Sequence, residues 1–335
     1  MRQWRNLVLG LAVAALAACG GSAPPRPGPA PPAAWAMFRH LPGVVDLAGP
    51  RADGSFLVAA AGRLLILGRD GTLAPFARGA GGYQTAPGTE PYLALAGTGW
   101  VSAKPCPFGS NVLFALEPGA RPGVMVISPA GRARRFASLP PGYAPSGIAF
   151  DGTGRFGGRL LVTAGFRGRA AVFGIGCDGQ GSVIAAGAPP MEGGIAVAPA
   201  TFGRFGGDLI APDEGTGVVY AVDPAGRVTV LARSGLAAGG DIGVESAGFV
   251  PPGAAAAYLA DRFSARNRHP GDNAILRLSA AQLARAGVRA GDLLVATEGG
   301  ARTIDVRCAA ACTVRYVAAG PAIAHAEGHI VFTAP

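Results

Sequence analysis

The chain repeats itself. After residue 40, short apolar segments separated by glycine- and proline-rich turns recur at roughly 45 to 55 residues, and a period of that length constrains a fold more than any single motif. One unit reads Arg-Phe-Gly-Gly-Arg-Leu-Leu-Val at 155–162 and returns as Arg-Phe-Gly-Gly-Asp-Leu-Ile-Ala at 204–211. A second unit is a hairpin: Gly217-Val-Val-Tyr-Ala-Val, the turn Asp223-Pro-Ala-Gly, then Arg227-Val-Thr-Val-Leu. It has partners at 123–136 and 63–76. A third unit opens each repeat, as Ser146-Gly-Ile-Ala-Phe-Asp, Gly193-Gly-Ile-Ala-Val-Ala, Glu245-Ser-Ala-Gly-Phe-Val and Glu90-Pro-Tyr-Leu-Ala-Leu. Each segment has the length and flanking turns of a strand.

Opening strand, apolar strand and hairpin make four strands per repeat. Four-stranded units at this spacing predict an all-β chain folded as a β-propeller, with six blades over residues 35–335. Blades that cover both faces of each sheet account for continuous apolar runs in place of alternation. Composition agrees. Gly (54) and Pro (29) supply turns, and charged residues at 15% are too few for long exposed helices. The segment 262–291 departs from the pattern: it holds a polar loop at Arg262–Asn273, read as solvated, and a short helix capped by Ser279 and ended by Gly287. Either 34–41 or the C-terminal strand could close the last blade.

Basic residues (29) exceed acidic ones (20). They form no run interleaved with aromatics, so nucleic acid is excluded as a partner. At the N-terminus, Arg2 and Arg5 precede an apolar run at 7–18 that is short for a bilayer span. It ends Leu16-Ala-Ala-Cys19-Gly20, which resembles the bacterial lipobox. The resemblance implies a signal peptide at 1–18, lipidation of Cys19, and a cell-envelope location on a membrane surface. A proline-rich tether at 19–34 then leads to a monomeric domain. Outside the cytoplasm the remaining cysteines can pair. Cys308 and Cys312 flank a tight turn between apparent strands, which leaves Cys106 with Cys177; a metal site on the first pair is the rival reading.

In a propeller the opening strands begin at one mouth of the central channel. Glu90, Ser146, Glu245 and Glu327 occupy that register, with Glu192 a step away. Carboxylates converging there repel unless protons or a cation intervene, and oxygen ligands suit Ca²⁺, with Mg²⁺ or Mn²⁺ as alternatives. Pro145-Ser-Gly-Ile-Ala-Phe-Asp151, the second strands and the Asp-Pro-Ala-Gly hairpin resemble the NHL-repeat and gluconolactonase (senescence marker protein) superfamily. That resemblance implies that Glu90, Glu245 and Glu327 hold a divalent metal. This chain has Ser146 and glutamates where the family uses Asn and Asp at two ligand positions. His325-Ala-Glu327-Gly-His329 would put three polar side chains on one side of a strand, with His325 and His329 as acid and base. This cluster more weakly resembles the streptogramin-lyase type of propeller. The alternative is a hydrogen-bonded rim. Asp213-Glu214, Asp261 and Glu298 follow second strands and read as turn formers.

Two functions follow. One is a metal-dependent hydrolase of a small lactone, ester or sugar-derived substrate. The other is a non-catalytic propeller binding a peptide, glycan or envelope partner. Leu139-Pro-Pro-Gly-Tyr-Ala-Pro-Ser-Gly-Ile-Ala also resembles quinone-dependent sugar dehydrogenases, a weaker third reading without a cofactor site.

Overall fold

The structure, a computed structural model, describes residues 32–86, 88–97 and 108–333. The segment 1–18 read as a signal peptide, Cys19 and Cys106 lie outside the described residues.

Twenty-five strands dominate the described residues. Four sheets are four-stranded meanders that run outward in chain order. They start with Val44–Ala48, Leu93–Leu95, Ala144–Phe150 and Ala196–Val197 as their inner strands. In the first of these, Val44–Ala48 and Phe56–Ala60 are buried at every position, whereas the outermost strand, Leu73–Phe76, is half-buried to exposed. That gradient is what stacked blades require: inner strands are covered on both faces, and edge strands meet water. The hairpin turns work as their sequences imply. Asp223 Oδ1 accepts from the Ala225 and Arg227 amides, both at 2.9 Å, and Gly226 takes the left-handed backbone (φ +81°) that the turn needs.

The remaining nine strands form one sheet, where separate four-stranded blades are expected. The cause is local. Val244–Phe249 and Ala326–Thr333 are both inner strands, and they touch through one parallel bridge, Ala247 to His329. On one side of this bridge Val244–Phe249 leads outward through Leu293–Thr297 and Thr303–Cys308 to Cys312–Ala319. On the other side Ala326–Thr333 leads through Ala256–Asp261 and Ala274–Ser279 to Ala36–His40. Both ends of the described chain therefore share this last unit: an N-terminal strand is outermost and the C-terminal strand innermost. The six inner strands neighbour one another in a closed ring around a central channel.

Two details differ from the sequence reading. Ala33–Ala34, read as the end of the tether, pairs in parallel with Ala318–Ala319. The loop at 262–273 joins two strands of one unit and leads into Ala274–Ser279, not into a departure from the repeat. The helix Ala280–Arg285 forms as read, with Ser279 and Gln282 closing a reciprocal capping box. Cys308 and Cys312 form a disulfide. Cys177 is also disulfide-bonded. No helix among the described residues is long and apolar enough to cross a membrane.

Candidate functional site: an acidic mouth on the central channel

Inner strands run in one direction around the channel, so their first residues gather at one mouth. The second strand of each unit is antiparallel to the first, so its last residues gather there too. Val244 pairs with Thr297, and Ala326 pairs with Asp261. This geometry brings together Glu245 and Glu327 from inner strands with Glu298 and Glu214 from second-strand ends, so these last two are not mere turn formers. Asp261 caps backbone as read, accepting from the His325 amide at 2.8 Å.

Glu245 and Glu327 are 5% and 1% exposed. The Tyr92 hydroxyl reaches both: its contact to Glu245 Oε1 is 2.5 Å, and the second is to Glu327 Oε1. One phenol O–H donates once, so the other contact needs a proton on a carboxyl. Glu90 joins through Arg262, whose guanidinium donates to Glu90 Oε1 and, at 3.3 Å, to Glu327 Oε2. The structure thus brings Glu90, Glu245 and Glu327 together, with Tyr92 and Arg262 as connectors. Arg262 comes from the loop read as solvated, yet its side chain is only 20% exposed.

His325 sits inside the cluster. Its Nε2 lies 3.2 Å from Glu298 Oε1 and 3.7 Å from Glu327 Oε2. Its Nδ1 and Glu298 Oε2 are buried with no hydrogen-bond partner. Glu298, His325 and Glu327 each offer a ligand atom within 4.8 Å of the others.

Burial and mutual repulsion govern the protons here. Burial, reinforced by Glu327 and Glu298, pushes Glu245 well above the ordinary carboxylate range. Glu327 is pushed up to about 7, by burial first and by Glu90 next, against the opposing charge of Arg262. Glu214 is pushed up to about 9 by burial and by Glu298. Burial also raises Glu192, which packs against Glu214. For Glu298, burial pushes upward, but the His325 imidazole holds the carboxyl below its usual value, helped by the Glu214 and Glu245 carboxyls, which can donate to it only when protonated. Burial disfavours the His325 cation, yet the bond and charge of Glu298 hold its pKa above the ordinary value.

Two expected residues lie apart from the carboxylates. Ser146 donates to the Met191 carbonyl at 3.0 Å. His329 does not share the cluster with His325. Tyr258 pairs with Val331 and Ala260 with Glu327, so the inner strand bulges between Glu327 and Val331 and the period of two is lost. Gly328 turns left-handed there (φ +67°), and a Cβ on it would lie 2.3 Å from Asp46 Oδ1. The His329 ring is held at both nitrogens: Nδ1 faces Asp46 Oδ2 at 2.9 Å, and Nε2 faces the Ile148 carbonyl at 3.0 Å. A ring so engaged has no free nitrogen for a substrate proton, which corrects the acid/base reading of His329. Asp46 also accepts from the Leu93 and His329 amides, each at 2.7 Å. It ties three inner strands together.

Beyond His329 the channel opens into an apolar cavity of about 920 Å³, lined by Leu47, Leu95, Ile148, Ile195, Ala247 and Phe249 among others.

No protein-family model matches the chain, and no match is found among curated proteins. Solved structures do resemble it. A provisionally named TolB from Agrobacterium tumefaciens superposes with a TM-score of 0.50 at 10% identity, covering 86% of this chain and 90% of that one. A virginiamycin B lyase from Staphylococcus aureus, solved with quinupristin, gives 0.47 at 11% identity over 84% and 74%. A gluconolactonase from Xanthomonas campestris gives 0.43 at 15% identity over 68% and 69%. The chain is a β-propeller. At such identities the likeness reaches no further than the fold.

Proposed function

We propose that this is a divalent-cation-dependent hydrolase of a small lactone, ester or sugar-derived substrate, acting at the acidic mouth. The observation that carries the reading is the trio Glu298, His325 and Glu327, buried, within 4.8 Å, with Glu298 Oε2 and His325 Nδ1 unpartnered. Buried polar atoms without partners are rare and call for an occupant or a proton. These three side chains would hold the cation. An imidazole in the set favours Mn²⁺ over the Ca²⁺ that oxygens alone suit. When bound, such an ion supplies Lewis acidity toward a carbonyl and toward water.

The chain's own residues do the rest. Arg262 fixes Glu90 and Glu327. Glu245, kept protonated by burial and sharing the Tyr92 hydroxyl, is the general acid. His325, placed among the donors, leaves the acid/base role to that pair. We read the nine-stranded sheet as two blades joined at one bridge, which makes six in all. We also propose export on the 1–18 segment, anchoring through Cys19, and a monomeric chain in the envelope.

The test is metal analysis of the full chain dialysed against Mn²⁺, repeated for Glu298→Gln and Glu327→Gln, followed by a lactone and ester panel. The reading expects bound metal in the wild type, its loss in both variants, and turnover only with metal. A wild type that retains no divalent ion overturns it. The apolar cavity would then favour the second reading, a binding propeller, which an apolar fluorescent probe displaced by candidate ligands would test.

A further inference from the structure

Beside the trio lies a second group. Glu214, Asp241 and Glu298 also offer ligand oxygens within 4.8 Å of one another. They come from three separate segments: the end of Leu209–Asp213, the 235–243 loop, and the end of Leu293–Thr297. Glu298 belongs to both groups. It is 5% exposed, places Oε1 against His325 and leaves Oε2 without a partner; Glu214 Oε1 is also buried and unpartnered.

Beyond His325 on the shared Glu298, no cationic side chain answers this second group. Arg262 serves Glu90 and Glu327, His325 serves Glu298 and Glu327, and no ion pair among the described residues reaches Glu214 or Asp241. The loop is nonetheless built into place. Gly239 N–H donates to the Glu214 carbonyl at 3.0 Å, and Asn267 Nδ2 donates to the Asp241 carbonyl at 2.9 Å. Asp241 itself holds a left-handed backbone (φ +61°) at an exposed position.

We infer that the mouth holds two divalent cations, bridged by the Glu298 carboxylate. One lies on Glu298, His325 and Glu327, and the second on Glu214, Asp241 and Glu298. This rests on the function proposed above and adds a second ion to its site. The all-oxygen set suits a hard cation, and its open, exposed side at Asp241 leaves room for water or a substrate oxygen. Glu298 is the only residue common to both sets.

Mn²⁺ alone is the probe, added to the metal-free full chain. Calorimetry reads stoichiometry, and electron paramagnetic resonance reads whether bound ions are coupled. The inference expects two ions per chain with the spectrum of a coupled pair. Asp241→Asn should bind one ion with an uncoupled spectrum. Asn tolerates the left-handed backbone as well as Asp does, so this variant keeps the loop. Glu298→Gln should lose the coupled signal. One uncoupled ion in the wild type, unchanged in Asp241→Asn, overturns the second site and leaves the first intact. No bound ion in the wild type overturns both.

Discussion

The two ends of the channel are made from the same inner strands, yet they have opposite chemistry. Where those strands begin, Glu245, Glu327 and their neighbours crowd carboxylates into a buried mouth. Where they finish, Leu95, Phe249 and similar side chains line an apolar cavity. Between the ends, Asp46 and His329 close a hydrogen-bonded girdle. The contrast follows from direction: parallel inner strands sort residues by position along the strand, so one polymer pattern gives one polar and one apolar end. Stability at the acidic end should depend on protons and cations, and at the apolar end on packing alone.

The girdle should produce the largest effect. Asp46→Ala leaves two buried amides and an imidazole without their acceptor, a loss of about 4 kcal/mol in urea unfolding. Next comes the acidic end by itself. The Glu327 value is raised from 4.5 to about 7, so the native metal-free chain holds a proton that the unfolded chain releases within that window. Stability from this group is complete below about pH 4.5 and falls as pH rises toward 7, by ~3 kcal/mol. Unfolding from pH 4.5 to 8 should show a decline to which Glu214 and Glu245 also contribute, and Glu327→Gln should make it shallower by that ~3 kcal/mol.

A packing deletion at the apolar end sharpens the contrast. Leu47→Ala, at a fully buried wall position, should cost about 2–3 kcal/mol and by the same amount at pH 5 and pH 8. The smallest effect belongs to Arg262→Met. At pH 8 it leaves Glu327 without its cation, a loss of about 2 kcal/mol by the logic of broken buried pairs, held down because the carboxyl can take up a proton. At pH 5, with Glu327 protonated, the loss should shrink to what the partly exposed pair with Glu90 contributes. An equal loss at both values would mean that Arg262 acts by packing, not by charge.

Much of this was legible in the sequence, and the gaps have physical causes. The repeat gave strand order and hairpins because turn chemistry is local: Asp223-Pro-Ala-Gly forms its turn without help from distant residues. The register of Glu90, Glu245 and Glu327 followed from the repeat as well. Glu298 and Glu214 were hidden because only antiparallel pairing carries a second-strand end to the mouth; applying that rule to Thr297 and Asp213 would have found them. Tyr92 stands two residues after Glu90 in the same opening unit, a signal of period two. Arg262 had no such signal, since an insert's path is not periodic. His329 was misplaced because a bulge at Gly328 breaks the alternation from which its side was inferred.

The most direct test is a carbon-13 NMR titration of the glutamate carboxyls in the metal-free chain, with Glu327→Gln for assignment. Convergence at the mouth predicts a carboxyl that titrates near pH 7 and disappears in the variant. If every glutamate titrates at the ordinary value near 4.5, the carboxylates do not meet, and the acidic mouth described here is wrong.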